Sequence, residues 1–76
     1  MSDIPALSFS QLINLVQGLG FVRVRQRGSH IRFVHPDGRK TTVPDHGHKI
    51  VPKGLLAKII RYDLEMTTEE FFGMLR

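Results

Sequence analysis

Four histidines are the side chains of this 76-residue chain best suited to exchange a proton near neutral pH. Two of them, His30 and His35, lie in the segment 22–40, which holds six lysines and arginines and a single acid, Asp37, and His30 stands between Arg27 and Arg32. Arginine binds phosphate oxygens through two parallel N–H groups, and lysine adds a compact positive charge. The combination therefore indicates proton transfer beside a bound phosphate group as the chemistry available to His30.

Positive charge is concentrated in this segment and predicts a polyanionic partner. The net charge is +4 and the isoelectric point is about 10.1, whereas residues 63–76 hold four acids against one arginine. A basic surface that contacts only solvent is the alternative, but soluble surfaces usually mix both signs of charge. The run without acids from 22 to 36 favours phosphate binding, and a helix start near Lys53 and Lys49 could hold a second phosphate.

Other kinds of catalytic or metal site are not expected. Asp45, His46 and His48 are possible metal ligands, but structural zinc sites in small domains usually include thiolates, and the chain has no cysteine. Paired carboxylates, a glycine-rich phosphate loop and a Ser-His-Asp order are not recognised. Neither a metal nor another cofactor is predicted. The chain has no cysteine, no long apolar run and no export features in residues 1–5. These features together predict a cytoplasmic protein without membrane contact.

The spacing of apolar residues predicts three helices. The first spans residues 8–19, with a capping box at Ser8 and Gln11, a hydrophobic staple from Leu7 to Leu12, and Gly20 in a left-handed conformation after its end. Pro52 is expected as the first residue of the second helix, and Thr67 or Thr68 as the cap of the third. The helical residues expected in the core are Phe9, Leu12, Ile13, Val16, Leu19, Leu55, Leu56, Ile59, Ile60, Phe71, Phe72 and Leu75.

Three antiparallel strands are predicted between the first two helices. Apolar and polar residues alternate over 21–27 and 29–35, and a Pro36-Asp37-Gly38 turn leads to a third strand over 40–43. The order α-β-β-β-α-α predicts an α+β fold with a three-stranded sheet packed on helices, as one domain over residues 1–76. Strict alternation directs Val22, Val24, Ile31, Phe33, Thr41 and Val43 toward the helices and Arg23, Arg25, His30, Arg32, Lys40 and Thr42 toward the open face of the sheet.

Three segments carry a resemblance to a known family: Gly28-Ser29-His30, Val43-Pro44-Asp45-His46, and residues 53–60. Through them, and over nearly the whole chain, the sequence resembles the HicA family of messenger-RNA-cleaving toxins. The resemblance implies a fold like that of double-stranded-RNA-binding domains. It also implies metal-independent ribonuclease activity that depends on the histidine of Gly-Ser-His, and neutralisation by a HicB-like antitoxin. Asp45 and the acidic segment 62–67 depart from the family pattern.

The chemistry of RNA agrees with this resemblance. The 2′-hydroxyl attacks the adjacent phosphate when a base removes its proton and cations stabilise the charged phosphorane. By the match, His30 is the catalytic candidate; the group that protonates the leaving oxygen is left open, with His46 as one possibility. The candidate RNA-binding residues are Arg23, Arg25, Arg27, Ser29, Arg32, Lys40, Lys49 and Lys53.

Two further functions would use the same basic face. A non-catalytic RNA-binding module would bind RNA through these cations without needing His30, and a protein-interaction domain would use them to meet an acidic partner. The expected partners of the nuclease are RNA and a HicB-like antitoxin that covers the basic face in a hetero-oligomer. His30 separates the three hypotheses, because only the nuclease requires it.

Overall fold

The computed structural model describes residues 4–74, so the expected roles of Leu75 and of residues 1–3 lie outside the described residues. The elements follow the predicted order α-β-β-β-α-α, and the α+β class with a three-stranded antiparallel sheet is confirmed. They are α1 (Phe9–Gly18), β1 (Val22–Arg27), β2 (His30–Val34), β3 (Lys40–Pro44), α2 (Lys53–Lys58), a π-helical segment (Ile59–Asp63) and α3 (Thr68–Gly73).

Helix α1 begins at the capping box that the sequence predicts. The Gln11 N–H donates to Oγ of Ser8 at 3.1 Å, and the Ser8 N–H donates to Oε1 of Gln11 at 2.9 Å. The chain leaves the helix at Gly20, whose φ is +101°. The residues that α1 buries are Phe9, Leu12, Ile13 and Val16.

Strand β2 is the central strand of the sheet and contributes most directly to the core. Ile31 lies opposite Val43 of β3, and Phe33 lies opposite Thr41, and all four side chains are buried. The intervening residues of β2 and β3 lie on the open face, as strict alternation predicts. The alternation in these two strands therefore separates the core from the open face.

Strand β1 departs from strict alternation, and the expectation for Val22, Val24 and Arg23 was wrong. Both valines are 56% exposed, and a β-bulge interrupts the pairing between Arg23 and Arg25. The extra residue of a bulge shifts the alternation by one position. As a result Arg23 lies opposite Phe33, on the helix side of the sheet, and Val22 lies opposite Val34 on the open face. Every residue of this edge strand is exposed.

The second half of the chain adds α2, the π-helical segment and α3 to the helical side of the sheet. Pro52 precedes α2 as its N-cap, with an extended backbone at ψ 138°, so its expected place inside the helix was wrong. The backbone then widens into the π-helical segment, which buries Ile59 and Ile60. Thr67 caps α3 through a capping box with Glu70, and Thr67 is one of the two predicted caps.

None of the helices within residues 4–74 has the length and apolar character needed to cross a membrane.

Two glycines at the end of α1 give a matched test of the backbone. Gly20→Ala should lower the free energy of unfolding by about 1–3 kcal/mol, because φ is positive and a Cβ there would lie 3.0 Å from Nε2 of His35. Gly18→Ala is the control: it lies in the helix, a Cβ there meets nothing within 4 Å, and alanine favours helical backbone. Urea denaturation should show Gly18→Ala at least as stable as the wild type. Equal stability of the two variants would contradict the conformational assignment of Gly20.

Candidate functional site

His30 is the first residue of β2 and lies exposed on the open face, next to the turn that joins β1 to β2. Gly28 in this turn has φ +59°, a conformation that glycine adopts readily. Arg27 of β1 and Pro44 of β3 lie directly opposite His30 on its two sides. All three strands therefore position the surroundings of the imidazole.

A shallow depression of about 340 Å³ on the open face contains the imidazole of His30. Three of the predicted RNA-binding arginines line it together with His30, and no acidic side chain does. Arg25 lies directly opposite Arg32, so two positive side chains occupy one cross-strand pair. The lining residues are Arg25, Arg27, His30, Arg32 and Thr42.

Thr42 is the lining residue that was not among the predicted site residues. It lies opposite Arg32, and its Oγ1 accepts a hydrogen bond of 3.3 Å from Nη1 of Arg32. The alternation of the sequence had placed both residues on the open face. The cross-strand register, which brings them together, depends on the length of the turn between β2 and β3.

The other predicted RNA-binding residues lie outside the depression. Arg23 is on the helix side of the edge strand, where its Nη1 donates to Oε1 of Gln26 at 3.2 Å. Lys40 is on the open face but at its far end, opposite Val34. Ser29 is in the β1–β2 turn, and its carbonyl oxygen accepts from the N–H of Asp45 at 2.6 Å. Lys49 precedes α2 in the loop, Lys53 is the first residue of α2, and neither lines the depression.

The histidines of the loop after β3 are also outside the depression. The ring of His46 packs edge-on against buried Phe9, with 5.0 Å between the ring centroids. Asp45 accepts the N–H of Gly47 through Oδ1 at 3.2 Å, which closes a local turn. Within residues 4–74 there is no group of three or more His, Cys, Asp or Glu side chains arranged to hold a metal ion. His46 does not line the depression that His30 lines.

His35 directly follows β2, at the opposite end of that strand from His30, and its side chain makes structural contacts. Its Nε2 lies 3.1 Å from the carbonyl oxygen of Leu19, its Nδ1 accepts from the N–H of Asp37 at 3.1 Å, and its ring packs edge-on against Phe21. The backbone N–H of Arg39, together with its side chain, holds the pKa of the Asp37 carboxyl below its ordinary value. This cluster joins the β2–β3 turn to the end of α1.

The chemistry available in the depression is proton transfer next to a bound anion. Three guanidinium groups supply N–H donors, and the neutral form of the imidazole beside them has one ring nitrogen that accepts a proton. The depression lies on the surface of the sheet, and its lining residues are exposed or half-buried. These features match a phosphodiester of a nucleic acid better than a small enclosed substrate.

Comparisons with known proteins agree with the sequence resemblance. No curated protein matches the chain. A family model described as the HicA toxin of bacterial toxin-antitoxin matches residues 9–63, which is more than half of the chain and includes α1, the whole sheet, α2 and the π-helical segment. The chain therefore belongs to the HicA toxin family of bacterial toxin-antitoxin systems, in which the partner of the toxin is an antitoxin.

Proposed function

We propose that this chain is a metal-independent endoribonuclease that cleaves messenger RNA in the cytoplasm, with His30 as its catalytic base and one folded domain over residues 1–76. The observation that carries the proposal is the shared depression of His30, Arg25, Arg27 and Arg32. Membership in a toxin family supports it, because cleavage of messenger RNA is one direct way to stop growth.

The proposed reaction uses the 2′-hydroxyl of the RNA as its nucleophile. The neutral imidazole of His30 takes the proton of that hydroxyl, and the 2′-oxygen attacks the adjacent phosphorus atom. The bond from phosphorus to the 5′-oxygen breaks, which leaves a 2′,3′-cyclic phosphate and a 5′-hydroxyl. The guanidinium groups bind the phosphate oxygens and stabilise the charge that develops on them. The group that protonates the leaving oxygen is left open, with His46 as one possibility.

Recognition of RNA in this site should depend on the phosphate backbone more than on the bases. Proteins that recognise the bases of single-stranded RNA commonly stack those bases on aromatic side chains. The depression is lined by three arginines, one histidine and one threonine, so it holds neither phenylalanine nor tyrosine. Contacts to phosphates carry no sequence information by themselves.

His30→Ala should abolish RNA cleavage by the purified protein in the presence of EDTA. Removal of a general base costs about 10²- to 10⁴-fold in rate, while the exposed position of His30 leaves the fold intact. His48→Ala is the matched control, because His48 is an exposed histidine of the loop that does not line the depression. Equal RNA survival with the wild type and His30→Ala would remove the nuclease proposal. Binding without cleavage by the wild type would favour the RNA-binding module, and cleavage that stops in EDTA would contradict metal independence.

Arg25→Ala or Arg32→Ala should weaken binding to RNAs of different sequence by a similar factor. Each phosphate contact removed lowers the slope of log affinity against log salt by about 0.7 for a single strand. Arg23→Ala is the control, because the bulge places Arg23 on the helix side, where it should change both quantities less. Filter binding at four salt concentrations measures both quantities. A slope change for Arg23→Ala as large as that for Arg25→Ala would show that RNA binds elsewhere.

The antitoxin should inhibit the nuclease by covering the open face. A surface that carries one sign of charge attracts a partner with the opposite sign, and such attraction raises the association rate. A HicB-like antitoxin with an acidic surface would mask His30 and the arginines beside it at the same time. Inhibition would then need no conformational change in the toxin.

Charge reversal tests this location of the antitoxin interface. The double variant Arg25→Glu/Arg32→Glu should slow association with the antitoxin by at least about tenfold at low salt, because it replaces attraction by repulsion. Lys58→Glu/Arg61→Glu changes the same charge on exposed helical residues and should have the smaller effect. Stopped-flow association rates and circular dichroism provide the comparison. Greater sensitivity of the helical pair would place the interface on the helical layer.

A further inference from the structure

Arg32 is the arginine of the depression that another side chain holds in place. Its Nη1 donates to Oγ1 of Thr42 at 3.3 Å, and both side chains are half-buried. Arg25 and Arg27 are exposed, and in the part of the chain that the structure describes their side chains make no hydrogen bond or ion pair. The three guanidinium groups therefore differ in how far they are fixed before a ligand binds.

We propose that Thr42 is a positioning residue that fixes the guanidinium of Arg32 beside His30, where it binds a phosphate group of RNA; this rests on the RNA-cleaving role proposed above. A guanidinium has five N–H donors in a rigid plane, so one contact to Thr42 leaves the Nε and Nη2 groups for a two-point contact with phosphate. Ordering a long side chain during binding lowers affinity. The hydrogen bond to Thr42 orders Arg32 when the protein folds, before RNA arrives.

The position of Thr42 suits this role for two reasons. It lies directly opposite Arg32, so the distance between the two side chains is set by the pairing of β2 with β3. It is also β-branched, which fits a strand, so valine keeps its shape and strand preference and replaces only the hydroxyl by a methyl group. Substitution at this site therefore separates the hydrogen bond from the fold.

Binding of RNA with 2′-O-methyl groups at every position tests the proposal, because this RNA keeps its phosphates and cannot be cleaved through the 2′-oxygen. Thr42→Val should lower affinity by about 3- to 10-fold, the effect of ordering one long side chain. Thr42→Ser keeps the hydroxyl and should restore most of the affinity. In an Arg32→Ala background Thr42→Val should have no further effect, since Thr42 acts through Arg32.

Thr68→Val is the matched control, because it makes the same chemical change at a half-buried threonine that does not line the depression. It should bind like the wild type. Thr42→Ala also lacks the hydroxyl and gives an independent measurement should Thr42→Val not fold by circular dichroism. Any of three results would overturn the proposal. The variants that lack the hydroxyl could bind RNA with wild-type affinity, or Thr42→Ser could fail to restore affinity. The third is that Thr42→Val lowers affinity by the same factor in the Arg32→Ala background.

These outcomes are distinct from failure of the nuclease proposal. If His30→Ala cleaves RNA as well as the wild type, the ribonuclease role of this site is removed. The dependence of the Thr42→Val effect on Arg32 is measured with uncleavable RNA, so it still decides whether Thr42 positions Arg32.

Discussion

The register of β2 between its two neighbours is the constraint on which the fold and the site both depend. Ile31 and Phe33 are fully buried on one side of this strand, and His30 and Arg32 project from the other. A slip of one residue would place the two apolar side chains in water and the two polar ones in the core, at a cost of several kcal/mol from hydrophobic burial alone. Core packing therefore also fixes where the imidazole and the guanidinium lie.

The end of the sheet that carries His30 is joined to α1 through the loop that follows β3. Beside His30, the N–H of Asp45 donates to the carbonyl oxygen of Ser29. Further along, the carbonyl oxygens of Gly47 and Lys49 accept the N–H groups of Ser10 and Phe9, each at 3.0 Å. These donors belong to the first turn of α1, which has no intrahelical partners for its N–H groups. The loop thus satisfies the helix terminus and supports the turn next to the site.

The sequence was sufficient for the parts of the structure that depend on local patterns. The capping box of α1, a threonine cap for α3, the alternation in β2 and β3, and the grouping of His30 with arginines all follow from residue type and spacing. The bulge in β1 was missed, because it arises from the pairing of two strands and leaves no clear trace in an alternating sequence. For the same reason the contact of Thr42 with Arg32 became visible only through the register. The link between Thr41 and Asp63, a hydrogen bond of 2.8 Å from sheet to helical layer, joins residues far apart in sequence.

The arrangement of charge on the open face favours the proposed anion-binding site over a surface that contacts only solvent. Like charges directly opposite one another in a sheet lower stability, yet Arg25 and Arg32 occupy such a pair and Arg27 lies close by. Among the residues that the structure describes, Arg39 is the arginine that pairs with an acid, since its Nε lies 2.8 Å from Oδ2 of Asp37. An acid at the position of Thr42 would neutralise Arg32 across the strands, but the residue there is a neutral threonine that accepts one hydrogen bond and leaves the positive charge uncompensated. In the proposed complex, a phosphate group bound between these guanidinium groups would reduce their repulsion and so offset this cost in stability.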